Sequence, residues 1–457
     1  MVHTTTVGIE DCRQGEPVDV EELIDSSSIG LRQWMVIAMC GSVSMLDGFD
    51  LQAIAFAAPE IRSDWAISAA AFGPVFSAGL LGGMVGGFFM GPACDRFGPK
   101  RLLVVSIVLF GIGTLITPLV GGIVSLCCVR AITGLGLGAA SPALVSILSA
   151  YSPRRLRSRI VTAAFCAQLL GAMVGSIISV SLIRRFGWPS IFTFGGLLPL
   201  ILLPLIVAII PEPLAYLVRR GAPPGKIKTA LARVGKLRGA LPELIVGTRI
   251  AHKTDRPVTD LFADGRAPGS ILLMLTAFVG AAFYFFLANW LPIALRESGE
   301  SIEQAVLGSS ALNFGGLVGS VTFAWLMDRH GAYKVMALGY LVGGILVMVI
   351  ALGSEPIPIT MALIFAAAFF GLGAQYCLPA AYVMFYPAHL RGAGVGLGLG
   401  FARVGAVIAP LVGSYILVMG GGWSALFRFS SICALGASAI VFAAYRVEQR
   451  GKRSAAN

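Results

Sequence analysis

Twelve stretches of this chain stay apolar long enough to cross a bilayer, and short polar segments separate most of them. They lie at about residues 33–58, 68–91, 102–120, 122–149, 160–183, 190–210, 270–295, 304–327, 334–353, 356–385, 392–418 and 423–445. Each comes close to the roughly 20 residues that a helix needs to span ~30 Å of hydrocarbon. The pattern predicts an all-α polytopic membrane protein with twelve transmembrane helices in two six-helix halves. Its parts are a polar tail (1–32), an N-terminal half (33–211), a basic central loop (212–269), a C-terminal half (270–446) and a second tail (447–457). Residues 1–30 are polar and acidic, so no cleavable signal is expected there and the first helix acts as its own insertion signal.

The halves echo each other. Asp95-Arg96-Phe97-Gly98 with Lys100 follows the second span, and Asp328-Arg329-His330-Gly331 with Lys334 follows the eighth. Gly134-Leu135-Gly136 with Pro142 is answered by Gly371-Leu372-Gly373 with Pro379, and Tyr151-Ser152-Pro153 by Tyr386-Pro387. Three correspondences at nearly one offset point to duplication, and parallel repeats of this kind are a transporter architecture with the substrate held between the halves. Glycines at helical spacing, such as Gly79, Gly83 and Gly87, predict closely packed helices.

Composition strengthens the membrane assignment and charge orients it. Hydrophobic residues make up 56% of the chain and charged ones 12%, with mean hydropathy +0.84, which exceeds what a soluble fold hides. The net charge of +11 does not signal nucleic acid, because most Lys and Arg fall on one side of the predicted membrane. Only Arg62, Arg184, Arg185 and Arg296 fall on the other side, and Arg130, Arg403 and Arg428 within spans. The positive-inside rule then places both termini in the cytoplasm, with Arg184 and Arg185 as an unexplained exception. Within the central loop, 226–237 has the pattern of an amphipathic helix on the inner leaflet, or of a solvated linker. The eight cysteines read as small packing residues, no metal or cofactor is expected, and the absence of a Gly-x-x-x-x-Gly-Lys-Ser/Thr loop argues against ATP hydrolysis. No histidine falls within a span, which leaves carboxylates for proton work.

Two carboxylates stand out. Asp47 and Asp50 are the acidic residues well inside spans, three positions apart and therefore expected on one face of the first helix, turned to one lumen. A charge at membrane depth costs at least ~2.5 kcal/mol, so the pair marks a proton or ion pathway. Counting turns puts Arg130 at the same level, as a bidentate site for a substrate carboxylate, a tuner of the aspartates or a structural partner. Arg403 would line the cavity from the other half, while Arg428 reads as an interfacial snorkel. Tyr284, Asn289, Asn313 and Tyr382 are candidate pocket members for a planar, polar substrate. An intramembrane aspartyl hydrolase would need its carboxylates on separate helices, which speaks against an enzyme.

With these residues in view the chain resembles the major facilitator superfamily. The carrying motifs are Gly91 to Arg101 between the second and third spans, with Pro99 a departure, and Arg130 to Ala139 in the fourth. More narrowly it is similar to the aromatic acid:H⁺ symporters, through Asp47-Gly48-Phe49-Asp50, Ala57-Ala58-Pro59-Glu60, Ala163-Ala164-Phe165-Cys166, Phe286 to Pro292 and Tyr386 to Gly394. The resemblance implies a proton-coupled importer of benzoate, hydroxybenzoates or phenylpropionates, working by alternating access as a monomer in a bacterial-type inner membrane. Another small organic acid, or export, is the alternative. Burial and spacing assign the proton coupling to Asp47 and Asp50, with the proton placed on Asp50 because it lies nearer the outer side. Gln168 is a further pocket candidate, standing where the resemblance implies a small residue. Asp95, Arg96, Asp328 and Arg329 are expected to gate by clasping the cytoplasmic ends of the halves in the outward-open state.

Overall fold

The computed structural model describes residues 18–19, 29–220, 222–223, 246–247, 259–263, 265–353, 356–387 and 390–456. Twelve of its helices are long and apolar enough to span a membrane. In chain order they are α1 (Leu31–Trp65), α2 (Phe72–Phe97), α3 (Pro99–Ile116), α4 (Ile123–Tyr151), α5 (Arg154–Phe186) and α6 (Pro189–Ile209), then α7 (Ala267–Glu297), α8 (Ile302–His330), α9 (Ala332–Leu352), α10 (Ile357–Tyr376, resuming as Leu378–Phe385), α11 (Arg391–Val418) and α12 (Gly422–Ala456). The amphipathic reading of 226–237 lies outside the described residues. Two-residue strands, Val18–Asp19 and Val246–Gly247, pair in parallel.

The tenth span is not the continuous helix its hydropathy suggests. Pro379 has no N–H for the Gln375 carbonyl, so the helix breaks at Cys377 and restarts at Leu378. The repeated motif loops use one device in both halves: Gly98 (φ +98°) turns α2 into α3, and Gly331 (φ +85°) turns α8 into α9. Around Gly98 the chain is crowded. The segment after α6 lays Glu212 and Tyr216 against it, and the Lys100 backbone N–H donates to Glu212 Oε2 at 3.4 Å. Burial holds the Glu212 carboxyl above its ordinary range, and that backbone bond with the charges of Arg101 and Lys100 offsets part of the effect.

Equivalent helices pair in both halves: α1 on α5 and α2 on α4, then α7 on α11 and α8 on α10. Glycine makes each crossing close. A Cβ on Gly134 would collide with the Gly79 carbonyl, one on Gly48 with that of Gln168, one on Gly319 with that of Phe369 and one on Gly405 with that of Phe278.

Across the seam α5 meets α8, α2 meets α11 and α1 meets α7. The packing is uneven along the membrane normal. On the face carrying the polar tails, here the tail face, one apolar core belongs to the N-terminal half (Val36 to Leu214) and another to the C-terminal half (Leu261 to Ala444). Towards the opposite, hairpin face a single core joins both halves, with Phe76 of α2 edge-on to Trp290 of α7 at 5.6 Å. The halves are sealed at the hairpin face.

Candidate functional site

The polar groups of the mid-membrane region hang on α1. Positions three apart on a helix differ by about 60° in direction, enough to send neighbours to different partners. Asp50, fully buried, turns into its own half: it accepts from Thr114 Oγ1 of α3 at 2.5 Å and pairs with Arg130 Nη2 of α4 at 3.4 Å. The same Nη2 donates to the Asp50 carbonyl at 3.0 Å. Asp47 turns towards α5, where Gln168 Nε2 donates to its Oδ2 at 2.9 Å, and it lies within electrostatic reach of Arg403 of α11. The aspartates therefore do not share one lumen-facing surface, as their spacing suggested. Gly48 explains the geometry, since its missing side chain lets the Gln168 backbone approach α1.

Arg130 and Arg403 sit in different surroundings. Arg130 is 2% exposed and pairs with Asp50 through Nη2, while its Nε and Nη1 are buried with no partner among the described residues. Arg403 is half-buried and crosses the seam: its Nη1 donates to the Gly83 carbonyl at 2.6 Å, and Gly87 lies against the guanidinium. It sits between the halves, facing Asp47.

About 7.5 Å further along α1, at ~1.5 Å per residue from Asp47, comes Gln52, which the sequence reading passed over. Its side-chain amide and that of Asn313 on α8 exchange two hydrogen bonds, of 3.1 and 3.0 Å, and Gln52 Nε2 also donates to the Tyr284 hydroxyl of α7 at 3.1 Å. Tyr376 of α10 stands beside Tyr284, with ring centroids 6.4 Å apart. A single uncharged polar side chain within an apolar helix was the available signal for Gln52. Its value shows only when its partners are known to lie in the other half.

One expected pocket residue lies elsewhere. Tyr382 is 1% exposed, stacked on Tyr386 and donating to the Leu273 carbonyl at 3.0 Å, because the break at Cys377 aims the end of α10 into the C-terminal core. Asn289 donates to Phe285 of its own helix at 2.7 Å. Of the gating residues, the Asp95 side chain lies outside the described ones, and Asp328 is exposed. Arg96 and Arg329 rest on their neighbours Phe97 and Trp325, the latter at 3.9 Å. At the hairpin face Arg62 pairs with Glu297 and Arg184 with Glu303, each across the seam. The arginine that defied the positive-inside pattern at 184 thus has a local partner.

A buried acid, a cation facing it across the seam and a neutral polar cluster, all between two repeated halves, are the furniture of a carrier. The family model described as Major Facilitator Superfamily matches residues 40–323 and 273–457. The chain belongs to the major facilitator superfamily. It is a multi-pass membrane transporter, not an enzyme. It is similar to a gallate transporter of Pseudomonas putida, at 35% identity with 93% of this chain and 95% of that protein aligned. It is also similar to the 4-hydroxybenzoate transporter PcaK of Pseudomonas aeruginosa, at 35% identity over 90% and 91% of the two chains. Among solved structures, a bacterial homologue of the human lysosomal transporter Spinster, inward-facing and unoccupied, shares the fold with TM-score 0.70 at 17% identity, covering 92% of this chain and 98% of that one.

Proposed function

We propose that this transporter imports small aromatic carboxylates together with protons, as a monomer in a bacterial inner membrane. The lysine and arginine bias assigns the tail face to the cytoplasm, so the arrangement sealed at the hairpin face is the inward-facing state. The substrate class is that of the relatives, gallate and 4-hydroxybenzoate transporters aligned over nine-tenths of the chain. The observation that carries the mechanism is Arg403 placed between the halves within electrostatic reach of Asp47.

Arg403 has two possible counterions. While Asp47 is ionised, Arg403 is balanced and offers little to an arriving anion. Protonation of Asp47 removes that balance, and the guanidinium fork takes the substrate carboxylate instead. Proton and anion then occupy the carrier together, and the pair crosses with no net buried charge added, which keeps the cost of reorientation low. Asp50 is tied to Arg130 and Thr114 within its own half, whereas Asp47 faces the seam, so this reading puts the proton on Asp47 instead of Asp50. Uptake of labelled 4-hydroxybenzoate into proteoliposomes under an imposed pH difference tests the reading. Accumulation that collapses with a protonophore supports it, and uptake indifferent to the pH difference refutes the coupling.

A further inference from the structure

The polar cluster beyond Asp47 has one hydrogen-bond donor too many. Gln52 and Asn313 satisfy each other through their reciprocal amide pair, with Gln52 Nε2 also given to the Tyr284 oxygen. Asn313 Nδ2 is shared with the Ser309 carbonyl at 2.7 Å. The Tyr284 hydroxyl accepts from Gln52, and Tyr376 stands beside it with a second phenolic proton. Two neighbouring hydroxyls can use at most one of their two protons on each other, so one phenolic proton is left to offer to a ligand.

The pair also borders the space a substrate would enter. Tyr376 lies beside Tyr284 of its own half, with ring centroids 6.4 Å apart, and within electrostatic reach of Cys166 of α5 in the other half, yet its side chain stays partly exposed. A residue flanked by both halves and still open faces the gap between them. Phe285 adds an aromatic ring at 4.8 Å from that of Tyr284. The cluster is uncharged, so it suits the neutral end of a ligand. Its level on α1, about 7.5 Å from Asp47 at ~1.5 Å per residue, matches the length of one benzene ring carrying a carboxylate at one end and a hydroxyl at the other.

We propose that the Tyr284–Tyr376 hydroxyl pair, braced by Gln52 and Asn313, is the subsite that reads a ring hydroxyl, and that the carrier therefore selects hydroxylated aromatic acids over unsubstituted ones. This rests on the aromatic-carboxylate reading above. The free phenolic proton is donated to the substrate's hydroxyl oxygen while the carboxylate stays on Arg403. A site built to bond a hydroxyl discriminates against a ligand that lacks it, because the site's own donor is then left unpaired. Gln52 and Asn313 are positioning residues that fix the Tyr284 oxygen without touching the ligand.

The test is competition in proteoliposomes. Labelled 4-hydroxybenzoate uptake is inhibited with unlabelled 4-hydroxybenzoate or benzoate, for the wild type and for Tyr376→Phe, Tyr284→Phe and Gln52→Leu. In the wild type, benzoate should need about tenfold or more the concentration of 4-hydroxybenzoate for half-inhibition, the size of one buried hydrogen bond. Tyr376→Phe and Tyr284→Phe should cut that ratio about tenfold, and Gln52→Leu should cut it less. A ratio within twofold of wild type in both phenylalanine variants overturns the subsite, as does a wild type that prefers benzoate. Uptake of neither acid by the wild type overturns the substrate reading itself, and this inference with it, before any variant is made.

Discussion

Asp47 and Asp50 differ in partners more than in position, and that difference predicts different failures. Asp50 lies in a buried ion pair with Arg130, where removing one charge strands the other at a cost of about 3–5 kcal/mol. Asp50→Asn should therefore lower the melting temperature of the purified carrier, whereas Asp47→Asn, which loses the Gln168 contact and the balance of the half-buried Arg403 across the seam, should lower it less. Asp47→Asn should instead abolish accumulation driven by a pH difference while retaining exchange of substrate between the two sides. A stable Asp50→Asn that has lost accumulation, beside an Asp47→Asn that keeps it, would put the proton on Asp50. The arginines separate in the same way. Arg403→Lys keeps the charge but loses the planar fork, so half-saturation should rise about tenfold or more. Arg130→Lys should act mainly on stability. Equal half-saturation in Arg403→Lys and wild type would remove Arg403 from the anion site.

At the scale of helices, close crossings decide what these side chains can reach. Gly48 stands under the Gln168 backbone, so Gly48→Ala must push α5 away from α1 and break the Gln168–Asp47 contact. Gly41, on the same helix, has nothing within 4 Å of an added Cβ, so Gly41→Ala should be neutral or, by the helix preference for alanine, stabilising by ~0.5–1 kcal/mol. Transport and thermal stability of the two variants check this, and equal tolerance would show that the α1–α5 crossing is loose. The element scale is also where the sequence was most legible. Twelve apolar runs, the duplicated loops and the buried aspartates could be read because a membrane forces length and polarity into the sequence. What could not be read was direction. A 60° difference between Asp47 and Asp50 decides whether each meets α3, α4 or α5, and no one-dimensional pattern carries the rotation of a helix against its neighbours. The break at Cys377 was ambiguous, because Pro379 signals it while Pro59, Pro142, Pro292 and Pro410 lie inside helices that continue. Partners in the other half, Asn313 and Tyr284 for Gln52, become visible only when the halves are assembled.

For the molecule as a whole the question is what holds the hairpin face shut, and magnitudes separate the candidates. The ion pairs Arg62–Glu297 and Arg184–Glu303 are conspicuous, but their side chains are 28–69% exposed, and pairs of that kind contribute about 0.2–1 kcal/mol. Trp290 is 1% exposed, sits edge-on to Phe76 of the other half and presses on Gly413. Truncating a buried tryptophan costs about 3–5 kcal/mol. Part of that belongs to the C-terminal half alone and does not bear on gating, yet 1 kcal/mol of it lying across the seam shifts a two-state ratio about fivefold. The apolar seal should therefore outweigh the charges. Trp290→Ala is expected to lengthen spin-label distances across the hairpin face by populating the alternate state. Glu303→Gln should change them little, and its small effect should vanish at high salt, where exposed pairs are screened. The reverse order of effects would make the ion pairs the gate and the apolar core its passive filling. That outcome would also recast Arg184, from an arginine tolerated on the wrong side of the membrane to one kept there for its partner.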